Sequence, residues 1–120
     1  MTTQETANKW HEFCQNGKNL ECIEELYSDD IVSTEMPGMP EQIVRGKQNI
    51  LKKNKDWFDS IVEWHSKSVA APIIAGDHFT SKFSFDVTFK ERGKTAVEEL
   101  GVYQVKDGKI IKEQFFYYMG

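Results

Sequence analysis

Phe79-Thr80-Ser81-Lys82-Phe83-Ser84-Phe85-Asp86-Val87-Thr88-Phe89 decides how the second half of this 120-residue chain folds. Phe79, Ser81, Phe83, Phe85, Val87 and Phe89 fall on one side of an extended strand, and Thr80, Lys82, Ser84, Asp86 and Thr88 on the other. A period of two with rings on one side predicts a strand with one buried face. Gly76-Asp77 before it and Gly93 after it supply turns. Residues 62–74 read as a preceding β-rich stretch, and about 95–105 as the following strand. Asp107-Gly108 predicts a tight hairpin into a last, aromatic-rich strand over about 109–118. The result is a four-strand antiparallel meander.

Upstream the period is 3.6. Thr2 and Glu5 have capping-box spacing, Ala7, Trp10, Phe13 and Cys14 recur on one helical face, and Gly17 stops the helix. Asn19 caps a second helix, with Leu20, Ile23, Leu26 and Tyr27 on one side and Glu21, Glu24 and Glu25 on the other. Residues 31–35 read as a short strand and 36–45 as a loop. A third helix from about 47 to 61 groups Ile50, Asn54, Trp57, Phe58 and Ile61 on one face. Lys52, Lys53 and Lys55 read as its solvated surface. Helices first and strands afterwards indicate α+β. The expected architecture is three N-terminal helices packed on a strongly curved, mostly antiparallel sheet, forming a cone with an internal pocket. Residues 1–120 read as one domain.

Eight Phe, four Tyr and three Trp can fill a core or wall a cavity. A net charge of −4 and the absence of a basic run exclude a nucleic-acid surface. Cys14 and Cys22 fall on separate helices and read as buried free thiols. There is no apolar run of membrane length, and the polar N-terminus lacks a signal peptide's pattern. The expectation is a cytoplasmic protein without membrane or nucleic-acid partners.

Glu35 is the leading candidate for chemistry. It ends the apolar stretch after Tyr27-Ser28-Asp29-Asp30, where a cavity facing it leaves a carboxylate poorly solvated and basic. Its bland alternative is an exposed acid before a loop, or one that caps a neighbouring backbone amide. Glu99 shares strand parity with Val97, Gly101, Tyr103 and Val105, so it is a second inward acid, a structural ion pair, or an acid turned outward by a β-bulge. On the last strand Ile111, Glu113, Phe115 and Tyr117 share one face, and Phe116 and Tyr118 lie on the other. Tyr117 is either a donor to a ligand oxygen or core filler. His65 shares a face with Glu63 and Lys67, opposite Trp64, as a ligand contact or a satisfied sheet histidine. Met36, Pro37, Met39 and Pro40 form an adaptable rim or an ordinary turn. His11 and His78 read as surface residues. No Cys/His spacing, serine elbow or phosphate loop implies a metal or cofactor.

Leu26-Tyr27-Ser28-Asp29-Asp30, Arg45-Gly46-Lys47 and Val105-Lys106-Asp107-Gly108-Lys109-Ile110, in this order, resemble the nuclear transport factor 2-like superfamily. Within it the chain looks most like the SnoaL-like polyketide cyclases and the ketosteroid isomerase relatives. The resemblance places Glu35 on the isomerases' carboxylate base. It places their two oxyanion donors, a Tyr and an Asp, close to Trp10 and Gly101, where this sequence departs from the pattern.

Three functions follow as expectations. The first is a cofactor-independent isomerase, cyclase or lyase. Glu35 and Glu99 handle protons, and Trp10, Tyr103 or Tyr117 steadies an enolate. Phe58, His65, Phe83, Phe85 and Phe115 contact a small hydrophobic or aromatic ligand. The second is a binding module for such a ligand. The third is a dimeric interaction protein with an incidental cavity. Phe116 and Tyr118 on the outer sheet face suggest a homodimer.

Overall fold

The computed structural model describes residues 1–39 and 42–119. α1 (Thr3–Gln15) opens on the expected capping box, with Thr2 and Glu5 bonding each other's backbone N–H. α2 (Asn19–Leu26) follows, but Lys18 rather than Asn19 is its N-cap. The Asn19 amide turns instead toward the Cys14 sulfur, 3.8 Å away. α3 (Lys47–Asp59) ends two residues earlier than expected, because Ile61 already pairs with Phe89 in the sheet.

Among the described residues seven strands form one sheet: β1 (Tyr27–Thr34), β2 (Ile43–Arg45), β3 (Ile61–Val69), β4 (Ile73–Ala75), β5 (His78–Phe89), β6 (Gly93–Lys106) and β7 (Lys109–Met119). The order is β2-β1-β7-β6-β5-β3, with β4 beside β5, so among the described residues the sheet stays open. Among the described residues only β1 and β7 run parallel. That pairing explains why β1 begins at Tyr27 and not at 31: Tyr27 already faces Ile110 on β7. The segment expected as a loop contains β2, whose Ile43–Arg45 pairs with the end of β1. The single β-rich stretch expected at 62–74 is two strands, both hydrogen-bonded to β5. Asp107 (φ 51°) and Gly108 (φ 76°) build the β6–β7 hairpin with two positive φ values, as an Asp-Gly turn requires.

Inward residues of β5 pack on the helices. Trp10 is 2% exposed and lies ring to ring with Phe79, Phe83 and Tyr103 at 5.3, 5.6 and 5.0 Å. Phe79 stacks on Tyr103 at 4.7 Å. Ala7, Ile23, Leu26, Ile31, Ile50 and Ile110 complete this core. Cys14 and Cys22 are free and buried, as expected. A second cluster around Phe85, Val87 and Val97 sits against Trp57 of α3.

Candidate functional site

A cavity of about 740 Å³ lies between the helices and the inner sheet face. Strand parity supplies its polar groups. Ile31, Ser33 and Glu35 point the same way along β1 and just beyond it, and Glu35 joins the cavity lining. Its backbone N–H donates to the Gln42 carbonyl at 2.7 Å. β6 contributes Val97, Glu99 and Tyr103, and β7 contributes Glu113, Phe115 and Tyr117. Phe83, Phe85 and Phe89 come from β5, and Trp57 and Phe58 from α3. Trp57 meets Phe58, Trp64, Phe85 and Phe89 edge to face, with centroids 5.2–6.2 Å apart. These contacts make one end of the cavity aromatic.

Lys53 is where the sequence reading fails most instructively. It was expected on the solvated face of α3 with Lys52 and Lys55. Its Nζ instead donates to the Glu35 carboxylate inside the cavity lining. The reason is helical spacing. Lys53 stands three residues after Ile50, and Asn54 and Trp57 continue the same inward face. The pair is sheltered, with 13% of the Glu35 side chain and 31% of the Lys53 side chain exposed. The Tyr117 hydroxyl donates to Glu35 as well, and burial with the Glu35 charge raises that phenol to about 12.

Two further carboxyls face the same space. Burial pushes Glu99 up to about 8; the charges of Glu35 and Glu113 add to the rise, and Lys53 opposes it. Near neutral pH Glu99 is therefore a carboxylic acid with a proton to donate. Glu113 is 4% exposed and was not singled out from the sequence. Burial pushes it up to about 7, against hydrogen bonds donated by the Tyr27 and Ser33 hydroxyls. Its signal was present in the parity of Glu113 with Phe115 and Tyr117. The sequence reading makes Phe115 and Tyr117 ligand contacts and passes over the acid between them and Ile111 on the same face.

Trp10 and Tyr103 reach the cavity as expected, both as walls of the deep end. Gly101 is vacant for a reason. A Cβ there would lie 2.7 Å from the Tyr103 hydroxyl and 3.0 Å from Phe83, so the phenol fills the space a side chain would need. Gly101→Ala is expected to cost about 1–3 kcal/mol by overpacking. Urea unfolding checks it, and an unchanged midpoint would mean that Tyr103 moves aside freely.

His65 is a correction. It lies on the outer face, with Nε2 2.7 Å from the Thr88 hydroxyl and Nδ1 3.4 Å from Glu63. The pairing of β3 with β5 slips between Trp64 and Ser66, and this bulge breaks simple alternation. Trp64 and Lys67 both line the cavity as a result. Lys67 also donates to the Cys14 carbonyl at the end of α1, at 2.7 Å. Of the expected rim, Met39 lines the cavity, and Pro40 lies outside the described residues. His11, expected at the surface, is part-buried 3.0 Å from the Val69 carbonyl. Among the described residues no group of three or more His, Cys, Asp or Glu is arranged to hold a metal ion. No helix among them is long and apolar enough to cross a membrane.

Three helices on one face of an open, mostly antiparallel sheet are the architecture of nuclear transport factor 2-like proteins. One such structure, of an NTF2-like protein of unknown function from Burkholderia pseudomallei, superimposes with a TM-score of 0.78 at 14% identity, covering 98% of this chain and 92% of that one. The family model described as SnoaL-like domain matches residues 1–117, and the chain belongs to that family. A Mesorhizobium loti protein, proposed to be a SnoaL-like polyketide cyclase (carbohydrate phosphatase), is similar at 37% identity and a TM-score of 0.91. The match covers 97% of this chain and 99% of that one. A Bacillus subtilis protein, proposed to be an isomerase, aligns at 21% identity with a TM-score of 0.73, over 95% of this chain and 84% of that one. A comparison with curated proteins found no match.

Proposed function

We propose that the sheet wraps the helices as a cone whose cavity binds a small apolar or aromatic ketone. Glu35 abstracts a proton beside the carbonyl, in an isomerase or cyclase reaction without a cofactor. The observation that carries this is the Glu35 carboxylate at the cavity wall, sheltered from water and held by Lys53 and Tyr117. A base in fixed position removes the entropy of finding its proton. The protonated Glu99 carboxyl and the Tyr103 phenol face the same space and are the donors available to an enolate oxygen. The Mesorhizobium loti relative supports the cyclase form of the reading.

The test is α-proton exchange of 1-tetralone in heavy water, followed by proton NMR. Exchange faster than in buffer is expected, and exchange at the buffer rate ends the catalytic reading. A binding module is the second reading, favoured by the ion pair that already occupies Glu35. Quenching of tryptophan fluorescence by tetralone without exchange would establish it, since Trp10, Trp57 and Trp64 all line the cavity.

In the same reading two copies pair through the outer sheet face. Leu100 opposes Phe116 and Glu98 opposes Tyr118 across β6 and β7, and Leu100, Phe116 and Tyr118 are 41%, 41% and 71% exposed. Rings clustered on an open sheet are the surface a second copy would cover. Sizing with light scattering is expected to give a dimer, and Phe116→Asp a monomer. A monomeric wild type removes the pairing and leaves the cavity reading untouched.

A further inference from the structure

Lys52, Lys53 and Lys55 are near neighbours on α3, yet their amines meet different surroundings. Lys52 is 81% exposed beside Asp56, while Lys53 reaches the cavity and touches Glu35. An ammonium in a mostly apolar cavity, already in contact with a carboxylate, becomes a nucleophile once that carboxylate takes its proton. Asn54 beside it and Trp57 and Phe58 on the next turn line the same cavity.

We infer that Lys53 forms a covalent imine with an apolar aldehyde or ketone held in the cavity, with Glu35 moving the protons. The inference rests on the carbonyl-ligand reading and gives it a covalent form. A ligand that displaces water removes hydration from both charges of the Lys53–Glu35 pair. Transfer of one proton from the ammonium to the carboxylate then leaves two neutral groups, which an apolar surrounding favours. The amine lone pair attacks the carbonyl carbon, the C=O π bond breaks toward oxygen, and a proton passes from nitrogen to that oxygen. The hydroxyl takes the proton held on Glu35, the C–O bond breaks, and water leaves. Nitrogen keeps one positive charge as the protonated imine, and Glu35 is again a carboxylate beside it. Ammonium and carbonyl have become protonated imine and water, with no change of charge or oxidation state.

The consequence reaches the proton-abstraction step. A positive nitrogen draws electrons from the neighbouring C–H bond more strongly than a neutral carbonyl oxygen does. Lys53 thereby supplies an electron sink at a site whose glycine at 101 offers no side-chain donor. Glu35 stands where it can take the proton from that carbon.

The test uses the whole protein with benzaldehyde and sodium cyanoborohydride, followed by digestion and mass spectrometry. One benzyl group on Lys53 is expected, formed about 100-fold faster than on Lys52 or Lys55, the lower end of what a placed base contributes. Lys53→Arg keeps a cation beside Glu35 and is expected to lose the label; Lys52→Arg is expected to keep it. Label spread over the exposed lysines, with Lys53 no faster than Lys52, overturns the imine. Benzyl alcohol, which cannot form one, separates the two failures. Its binding, read by tryptophan fluorescence, with no preference for Lys53 removes the imine alone. Absence of both binding and preference removes the imine and the carbonyl-binding cavity together.

Discussion

Glu35→Gln is expected to slow α-proton exchange on bound tetralone by about 100- to 10,000-fold, the range a general base supplies. Glutamine keeps the length of the side chain and an oxygen for the Tyr117 hydroxyl, so the change removes basicity and little else. Lys53 loses its partner, but 31% of its side chain is open to solvent, which hydrates the ammonium and spares the fold. Ligand binding by fluorescence is therefore expected to survive while exchange does not. Glu99→Gln is the informative contrast. An amide N–H still donates, so exchange should fall by about tenfold or less if Glu99 acts only as a hydrogen-bond donor. Equal losses from both changes would shift the base from Glu35 to the carboxyl group as a set. No loss from Glu35→Gln would remove Glu35 from the chemistry.

The second large effect is on stability. Burial holds Glu99 at about 8 and Glu113 at about 7, both above the 4.5 of an ordinary glutamate. The folded chain therefore keeps these protons at pH values where the unfolded chain has lost them. Stability is unpenalised below the unfolded value and falls as pH rises through about 7 and 8. At about 1.4 kcal/mol per pH unit of separation, the combined loss by about pH 9 is on the order of 8 kcal/mol. That is a large part of the margin of a small domain. Urea midpoints measured from mildly acidic to alkaline pH should decline accordingly. Glu99→Gln, which cannot ionise, should flatten the decline and raise the alkaline midpoints. Below that window the trend reverses, because Glu5 and Asp77 are held below the usual carboxylate range and lose stability as they protonate. A midpoint that is constant or rises above neutrality would show that these carboxyls are hydrated in the folded state.

The fold was legible where one physical signal dominated. β5 alternates without interruption from Phe79 to Phe89, and the Asp107-Gly108 turn has one strong solution. The strands that escaped were those defined by distant partners. β2 has only three residues and exists because Val32, Ser33 and Thr34 offer it an edge. The early start of β1 depends on β7, more than eighty positions away along the chain. The alternation of β3 is broken by a bulge that turns Trp64 and Lys67 to one side and His65 to the other. Periodicity alone cannot place a bulge.

The site was half legible for related reasons. Glu35, Glu99, Tyr103 and Tyr117 follow strand parity, and the structure lines the cavity with all four. Lys53 was hidden by its neighbours, since three lysines in four positions look like one solvated surface. The phase of Ile50, Asn54 and Trp57 contained the correct answer. Glu113 was hidden because a buried acid is rare, and its stabilising partners come from β1, where Tyr27 was assigned to a helix face.

Carboxyl-detected NMR titration of the glutamate side chains tests the central claim most directly. If several acids project into a hollow shielded from water, two carboxyls should titrate near 8 and 7 and disappear in Glu99→Gln and Glu113→Gln respectively. Titration of every glutamate between about 4 and 5, as in model peptides, would contradict it.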